Sequence, residues 1–481
     1  MEGEHYDVII IGAGLSGLAA GIRLALFDKK VIILERHNVI GGLNSFYSID
    51  GRKYDVGLHA MTNFAPHIKK SPLNLIFRQL RIHPSEFNLS PQKQSKIIFD
   101  QTDLLFNNNL DFLKSQIAEK FPKQIDNFSK ICTIIEQEFQ NLSPQKESLS
   151  AFPLLSQFIT DPLLANLLLL PPLYYGSPLE NDISWNQFVI LFKSIFLEGL
   201  ARPYEGIRLI LRILKDKFKS LGGIRKMKCG VREIRASNDK VQTLFLDDGT
   251  TLSATHIISS IGLLETLNLC TPPPPSSNST QNFNQTIGKI SFVETLSVIK
   301  DQPSSLGWND TIIFFNDSKD LQYQCPDNQL VNTNSGVICI PNNYEYENDQ
   351  KQPEGIIRTT VLGNYNRWNT LPPEDYATQK NHWFNLIQDK ALKFLPALPP
   401  HHNLESMTLA KDMFTPKTIH KYTGRLNGAV YGSTHKNPSG TTHLKNLSIC
   451  GTDQGFLGIT GSMLSGITIA NNHVLIKNDP S

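Results

Sequence analysis

Residues Tyr6–Gly42 read YDVIIIGAGLSGLAAGIRLALFDKKVIILERHNVIGG, and the fold follows from that stretch. Tyr6 to Ile11 is a short apolar run rich in β-branched residues, and Leu18 to Phe27 is rich in Ala and Leu, so the pattern predicts strand, tight turn, helix. The turn is Gly12-Ala-Gly14-Leu15-Ser16-Gly17, and Val31 to Leu34 predicts a second buried strand that closes on Glu35. A G-x-G-x-x-G between strand and helix, with an acid ending the next strand, is the dinucleotide-binding arrangement. Gly12 permits the sharp turn, Gly14 lets backbone N–H groups approach a pyrophosphate, and Gly17 lets helix and strand pack closely. The positive end of the helix then faces the phosphates. Glu35 suits the hydroxyls of an adenosine ribose, while Arg36 beside it could instead pair with a 2′-phosphate; the carboxylate comes first and carries more weight.

After Arg36 come Gly41-Gly42 and Leu43, then FYSIDGRKYDVGLHA, residues 46–60, with Asp55 and Gly57. From here the chain resembles the FAD-dependent phytoene desaturase, carotenoid isomerase and retinol saturase family of the amine oxidase superfamily. That family begins with a GxGxxG, an acid, a GG pair and an Asp-x-Gly. The resemblance implies a Rossmann-type α/β FAD-binding domain with an interleaved α+β substrate domain, and FAD as the cofactor. Residues Gly12, Gly14, Leu15, Ser16, Gly17, Glu35, Arg36, Gly41, Gly42 and Leu43 would then surround the nucleotide.

A chain of 481 residues is long enough for two or three domain-sized units. Its net charge of +2 and the lack of a basic, aromatic-interleaved tract argue against nucleic acid as a partner. Six scattered cysteines with no C-x-x-C or Cys/His ligand spacing imply a reducing compartment and no structural metal. No secretory signal precedes the first strand, and no run reaches about 18 apolar residues, so a cytoplasmic protein without a spanning helix is expected.

Five segments are expected: 1–62, 222–268 and 407–481 in the FAD-binding domain, 63–221 in a mainly helical part of the substrate domain, and 269–406 in its second part. Asn63 to about Gln145 reads as mostly helical. Within Ala151 to Leu200, strongly apolar, Phe188, Phe192 and Phe196 recur one helical turn apart. Two readings stay open there: a greasy lining or membrane-touching surface for a lipophilic substrate, or an ordinary buried helix pair. Gly206 to Leu221 predicts an amphipathic helix with Ile207, Ile210, Leu211, Leu214 and Phe218 on one face. Gly230 to Gly262 predicts alternating strands, and by resemblance the backbone of Val231 meets the adenine. Cys270 to Lys289, with four consecutive prolines, reads as an extended linker, and Asn316 to Asp349 as polar loops.

The closing segment carries the second signal. Asp412 to Gly432 resembles the family's stretch of a Thr-Pro followed by a Tyr-Gly, matched by Thr415, Pro416, Tyr431 and Gly432. Then HLKNLSICGTDQGFLGITGSMLSGITIANN, residues 443–472, predicts a strand, a turn at Gly451, and a helix from about Thr460. Asp453 is placed to accept a hydrogen bond from a ribityl hydroxyl, with a plain turn cap as its alternative. Backbone N–H groups of Ile459 to Met463, including Gly461 and Ser462, can donate to the flavin edge where reduction puts negative charge.

The chemistry implied is hydride exchange with flavin N5 on a carotenoid or other polyisoprenoid: desaturation, saturation or cis-trans isomerisation. His59 in GLHA is the best candidate acid or base, against a satisfied structural histidine. Two other readings stand beside this one, a flavin amine oxidase and a non-catalytic prenyl-binding relative of the Rab GDP-dissociation inhibitor. With no second GxGxxG, a separate nicotinamide domain is not expected and the electron acceptor stays unidentified.

Overall fold

The computed structural model describes residues 5–57, 59–141, 149–274 and 286–476. The expected α/β architecture is present, built on two sheets. The first is ordered Cys270–Thr271, Val231–Ser237, Lys240–Leu246, Thr251–Ser259, His5–Ile11, Val31–Glu35, Ile224–Met227, with Leu447–Ile449 beside Thr251–Ser259. Its centre is parallel: Ile9 pairs with both Ile32 and Ile257. Parallel strands covered on both faces must be apolar on both faces, which is why the residues from Val8 to Ile11 are buried without alternation.

The two ends of the chain meet through small residues. A Cβ on Gly466 would stand 2.0 Å from the Ser16 carbonyl oxygen, so the helix Gly458–Ala470 rests directly on the helix Leu15–Ala25. The amphipathic helix Ile207–Ser220 packs on the same layer through the five apolar residues expected of it. It therefore covers the dinucleotide-type sheet, although it falls in the segment read as substrate domain.

The second sheet is ordered Thr408–Phe414, Phe292–Ile299, Gly355–Gly363, Val331–Cys339, Ile312–Asn316, Ser95–Phe99, Thr102–Phe106. Three expectations change here. The stretch read as mostly helical contains the hairpin Ser95–Phe99/Thr102–Phe106, where residues alternate in burial around a turn at Asp100 with φ 53°. The polar region 316–349 contains the buried strand Val331–Cys339, paired on both edges. Thr408–Phe414 belongs to this sheet, so the last return to the first domain starts after Phe414 rather than at residue 407.

The aromatic stripe is core. Phe188, Phe192 and Phe196 are buried in one cluster with Phe106 and Phe128, with ring centroids of Phe192 and Phe196 4.9 Å apart. The reading of these rings as a substrate lining or membrane surface is thus corrected: they fill the space between helices and the second sheet. No helix among the described residues is long and apolar enough to cross a membrane. Of the expected linker, Cys270–Thr271 is instead a short edge strand beside Val231–Ser237, and residues 275–285 lie outside the described residues.

Candidate active site

A cavity of about 700 Å³ is lined both by the Gly-rich turn and by Phe292, Glu294, Val337 and Thr360 of the second sheet. One end is polar and lined by backbone. Gly12 has φ 95°, and a Cβ there would meet Ser260 Oγ at 2.6 Å; a Cβ on Gly17 would meet the Gly12 carbonyl oxygen at 2.3 Å. A Cβ on Gly14 would meet nothing within 4 Å, so the space beside it stays clear. Gly41, with φ 114°, donates its N–H to the Ala13 carbonyl at 2.9 Å and brings Gly42 and Leu43 alongside the turn.

Glu35 braces that turn from below. One carboxylate oxygen accepts the Ala13 N–H and the other the His37 N–H, each at 2.8 Å. The Arg36 guanidinium donates to both oxygens of Asp247, at 2.9 and 3.1 Å, and to the Val231 carbonyl at 2.7 Å. Arg36 thus has a carboxylate partner in this structure, in a pair whose side chains stay 62% and 40% exposed.

Gly12, Gly14, Leu15, Ser16, Glu35, Arg36, Gly41, Gly42, Leu43, His59, Val231, Gly451 and Ser462 all line the cavity. Four other expected residues do not. Gly17 is spent on helix–strand packing, and Gly461 sits against the Phe456 backbone. Met463 is fully buried in the core beneath its helix. Asp453 is only 1% exposed, and its oxygens accept the Leu263 and Ser433 N–H groups at 2.7 and 2.8 Å and face the Arg425 guanidinium at 3.3 Å. Burial alone would raise its pKa, but Arg425, Lys436 and those N–H groups hold it below the usual carboxylate range. In this structure Asp453 is an internal clamp, while Thr452, one residue earlier, lines the cavity.

The other end is apolar and aromatic. Tyr174, Tyr175, Phe292, Val337, Tyr431 and Leu457 form its walls. Phe292 stacks on Tyr174 with centroids 5.9 Å apart and meets Tyr431 edge-on at 5.8 Å. Tyr431 donates its hydroxyl to the Tyr174 carbonyl, which fixes the corner.

His59, Glu294 and Thr360 also line the cavity and, with Arg358, form a charged group that the sequence reading missed, apart from His59. Register pairs Glu294 with Thr360 and Leu296 with Arg358 across adjacent strands, so Arg358 reaches diagonally to Glu294. Its guanidinium donates to Glu294 Oε1 at 2.7 Å from Nε and again from a terminal nitrogen. Glu294 Oε2 accepts from Thr360 at 2.9 Å and lies 3.2 Å from His59 Nε2, which is 3.0 Å from Thr360 Oγ1. Burial would raise the Glu294 pKa, yet Arg358 and His59 bring it down to about 2. Burial lowers that of His59, against the opposing pull of Glu294. Behind them, Tyr344 and Arg202 donate to the His59 carbonyl at 2.9 and 3.3 Å, and Arg202 pairs with Asp55 at 2.5 Å. The lone charges in FVETLSVI and GIIRTTVLG were a legible signal for this group, since a carboxylate and an Arg in apolar strands must find each other.

A Gly-rich strand–turn–helix, an acid closing the next strand and a cavity leading to an aromatic chamber define the class as dinucleotide-dependent oxidoreductases with a two-sheet architecture. Comparison with known proteins places the chain within that class. Residues 10–71 match the NAD(P)-binding Rossmann-like domain family. Chloroplastic prolycopene isomerase of Arabidopsis thaliana is 25% identical over 472 residues, covering 89% of this chain and 74% of the relative. All-trans-retinol 13,14-reductase of Danio rerio is 21% identical, covering 98% and 87%. Phytoene desaturase of Fusarium fujikuroi is 24% identical, covering 61% and 55%. Among solved structures, an oxidoreductase from Methanosarcina mazei superposes with TM-score 0.66 at 14% identity over 97% of this chain and 99% of that one. Putrescine oxidase superposes with TM-score 0.62 at 14% identity, over 98% and 100%. The chain is thus similar along most of its length to proteins named prolycopene isomerase and retinol 13,14-reductase, and over part of it to a phytoene desaturase.

Proposed function

We propose that this protein is an FAD-dependent oxidoreductase that desaturates, saturates or isomerises C=C bonds of a lipophilic, isoprenoid-type substrate. The observation that carries the reading is one continuous cavity lined both by Gly14 and Glu35 and by Tyr174, Phe292 and Tyr431. The names of the sequence relatives, all of which act on carotenoids or a retinoid, support the substrate class.

The residues present fit FAD. The clear space beside Gly14, at the start of the helix Leu15–Ala25, suits a pyrophosphate that N–H groups at a helix end would hold. Glu35 keeps lone pairs for ribose hydroxyls after accepting one N–H on each oxygen. At the opposite end the helix Gly458–Ala470 begins with Gly458, Ile459 and Ser462 on the cavity wall, so its first N–H groups would stabilise charge on the flavin edge. When bound, FAD supplies a two-electron acceptor and donor of hydride. The chain's own contribution is to orient an apolar chain against aromatic walls, exclude water, and hold the His59–Glu294 pair on the cavity wall.

A second reading, a flavin amine oxidase, is favoured by those same aromatic walls. Two assays separate the readings. Purified protein should show flavin absorbance, and expression in carotenoid-producing cells, or incubation with retinoids, should change pigment or retinoid identity. Peroxide release with putrescine and other amines, and unchanged isoprenoids, would favour the amine oxidase. Protein that is colourless and takes up no added FAD would overturn both.

A further inference from the structure

His59 offers more than a candidate position for an acid or base, because its neighbours admit one proton arrangement. Thr360 donates its only hydroxyl proton to Glu294 Oε2 at 2.9 Å. Its Oγ1 then has lone pairs to offer His59 Nε2 at 3.0 Å, and Glu294 Oε2, also an acceptor, lies 3.2 Å from the same nitrogen. Two acceptors converge on Nε2, so Nε2 must carry the proton. Were Nε2 unprotonated, its lone pair would face a carboxylate held ionised by Arg358. Nδ1 forms no hydrogen bond among the described residues, on a side chain that lines the cavity.

We propose that Glu294, clamped by Arg358 and Thr360, is the positioning residue that fixes His59 in its Nε2–H tautomer, leaving Nδ1 to take up or return the proton that accompanies hydride exchange. This rests on the flavin reading above. In the dehydrogenating direction, one C–H bond of a CH–CH unit breaks with its electron pair, as hydride to N5 of oxidised flavin. The neighbouring C–H breaks with its proton passing to His59 Nδ1, and the electron pair left behind forms the C=C bond. The imidazolium then returns the proton to solvent. In the saturating direction the same atoms move in reverse, and His59 must enter protonated.

The surroundings support a ring that starts neutral. The charged and titratable groups about it are Glu294, Arg358 and Arg202, with Asp55 behind Arg202, and Tyr344 and Cys339 on the His59 carbonyl. Burial and the two guanidinium groups disfavour the imidazolium, while Glu294 keeps it within reach. A carboxylate that orients one imidazole nitrogen so the other can act as base is the same division of labour as in a catalytic triad.

The test is nitrogen-15 NMR of the FAD-loaded protein labelled at histidine, with the His59 signals assigned by their loss in His59→Gln. The expected result is a protonated Nε2 and an unprotonated Nδ1 at neutral pH. Glu294→Gln should give a mixture of both tautomers and move the midpoint of His59 protonation down by about one to three pH units. A wild-type Nδ1–H tautomer, or a tautomer untouched by Glu294→Gln, would overturn the proposal. Should Glu294→Gln fail to fold, the wild-type spectrum decides alone. Failure of the flavin reading is a separate outcome, read from the visible spectrum as absence of bound FAD.

Discussion

Gly17 and Gly12 touch so closely that a single methyl group on Gly17 would stand 2.3 Å from the Gly12 carbonyl oxygen, whereas the same group on Gly14 would meet no protein atom within 4 Å. One glycine of the motif serves packing, and the other keeps space for a ligand. Gly17→Ala should therefore lose about 1–3 kcal/mol of stability through overpacking, seen as a lower midpoint in urea. Gly14→Val should leave the midpoint of the cofactor-free protein within about 0.5 kcal/mol of wild type, yet purify without flavin absorbance. A Gly14→Val protein as yellow as wild type would contradict the placement of the pyrophosphate.

Glu35 holds the turn through two backbone N–H groups, and the FAD reading sets its remaining lone pairs on ribose hydroxyls. Glu35→Ala should weaken FAD binding by about 1.5–3 kcal/mol, the worth of hydrogen bonds to a charged acceptor, or roughly 10- to 150-fold in Kd. Titration by quenching of FAD fluorescence measures it.

The buried Glu294 makes stability depend on acid. Burial would raise its pKa, but Arg358 and His59 bring it from 4.5 to about 2 in the folded protein. A depressed carboxylate stabilises fully above its unfolded pKa and loses that contribution as pH falls through the folded value. The stability gap between wild type and Glu294→Gln should thus be constant above about pH 5 and shrink toward pH 2, by on the order of 3 kcal/mol. Urea unfolding of both proteins across that range checks the sign.

Phe192 is fully buried against Phe128, Phe188 and Phe196. Phe192→Ala should cost about 3–5 kcal/mol of stability and leave sedimentation with lipid vesicles unchanged. Loss of vesicle binding without loss of stability would return this helix to the surface.

Asp453 ties three segments together through Leu263, Ser433 and Arg425. Asp453→Ala leaves the Arg425 guanidinium buried beside Glu265 alone, at 3.7 Å, and should destabilise by about 3–5 kcal/mol. Thr452→Val, one residue earlier, should change stability far less and act on FAD affinity instead. The two effects are separable by thermal shift with and without added FAD.

What was legible in the sequence was what local chemistry enforces. Gly12, Gly14 and Gly17 can be glycine for only a few reasons when strand and helix flank them, and an acid closing the next strand narrows those reasons to one. The amphipathic period of residues 207–218 declared its buried face in the same way. The tertiary structure decided whatever depends on partners distant in the chain. Phe188, Phe192 and Phe196 share a helical face whether that face meets lipid or core, and only the packing of Phe106 and Phe128 against them chose core. Asp453 looks the same in sequence whether it greets a ribityl chain or clamps Arg425. Glu294, Arg358, Thr360 and His59 come from three separate stretches, and only strand register brings them within hydrogen-bonding distance, because the period of a strand sets which side chains share a face but not which strand lies beside it.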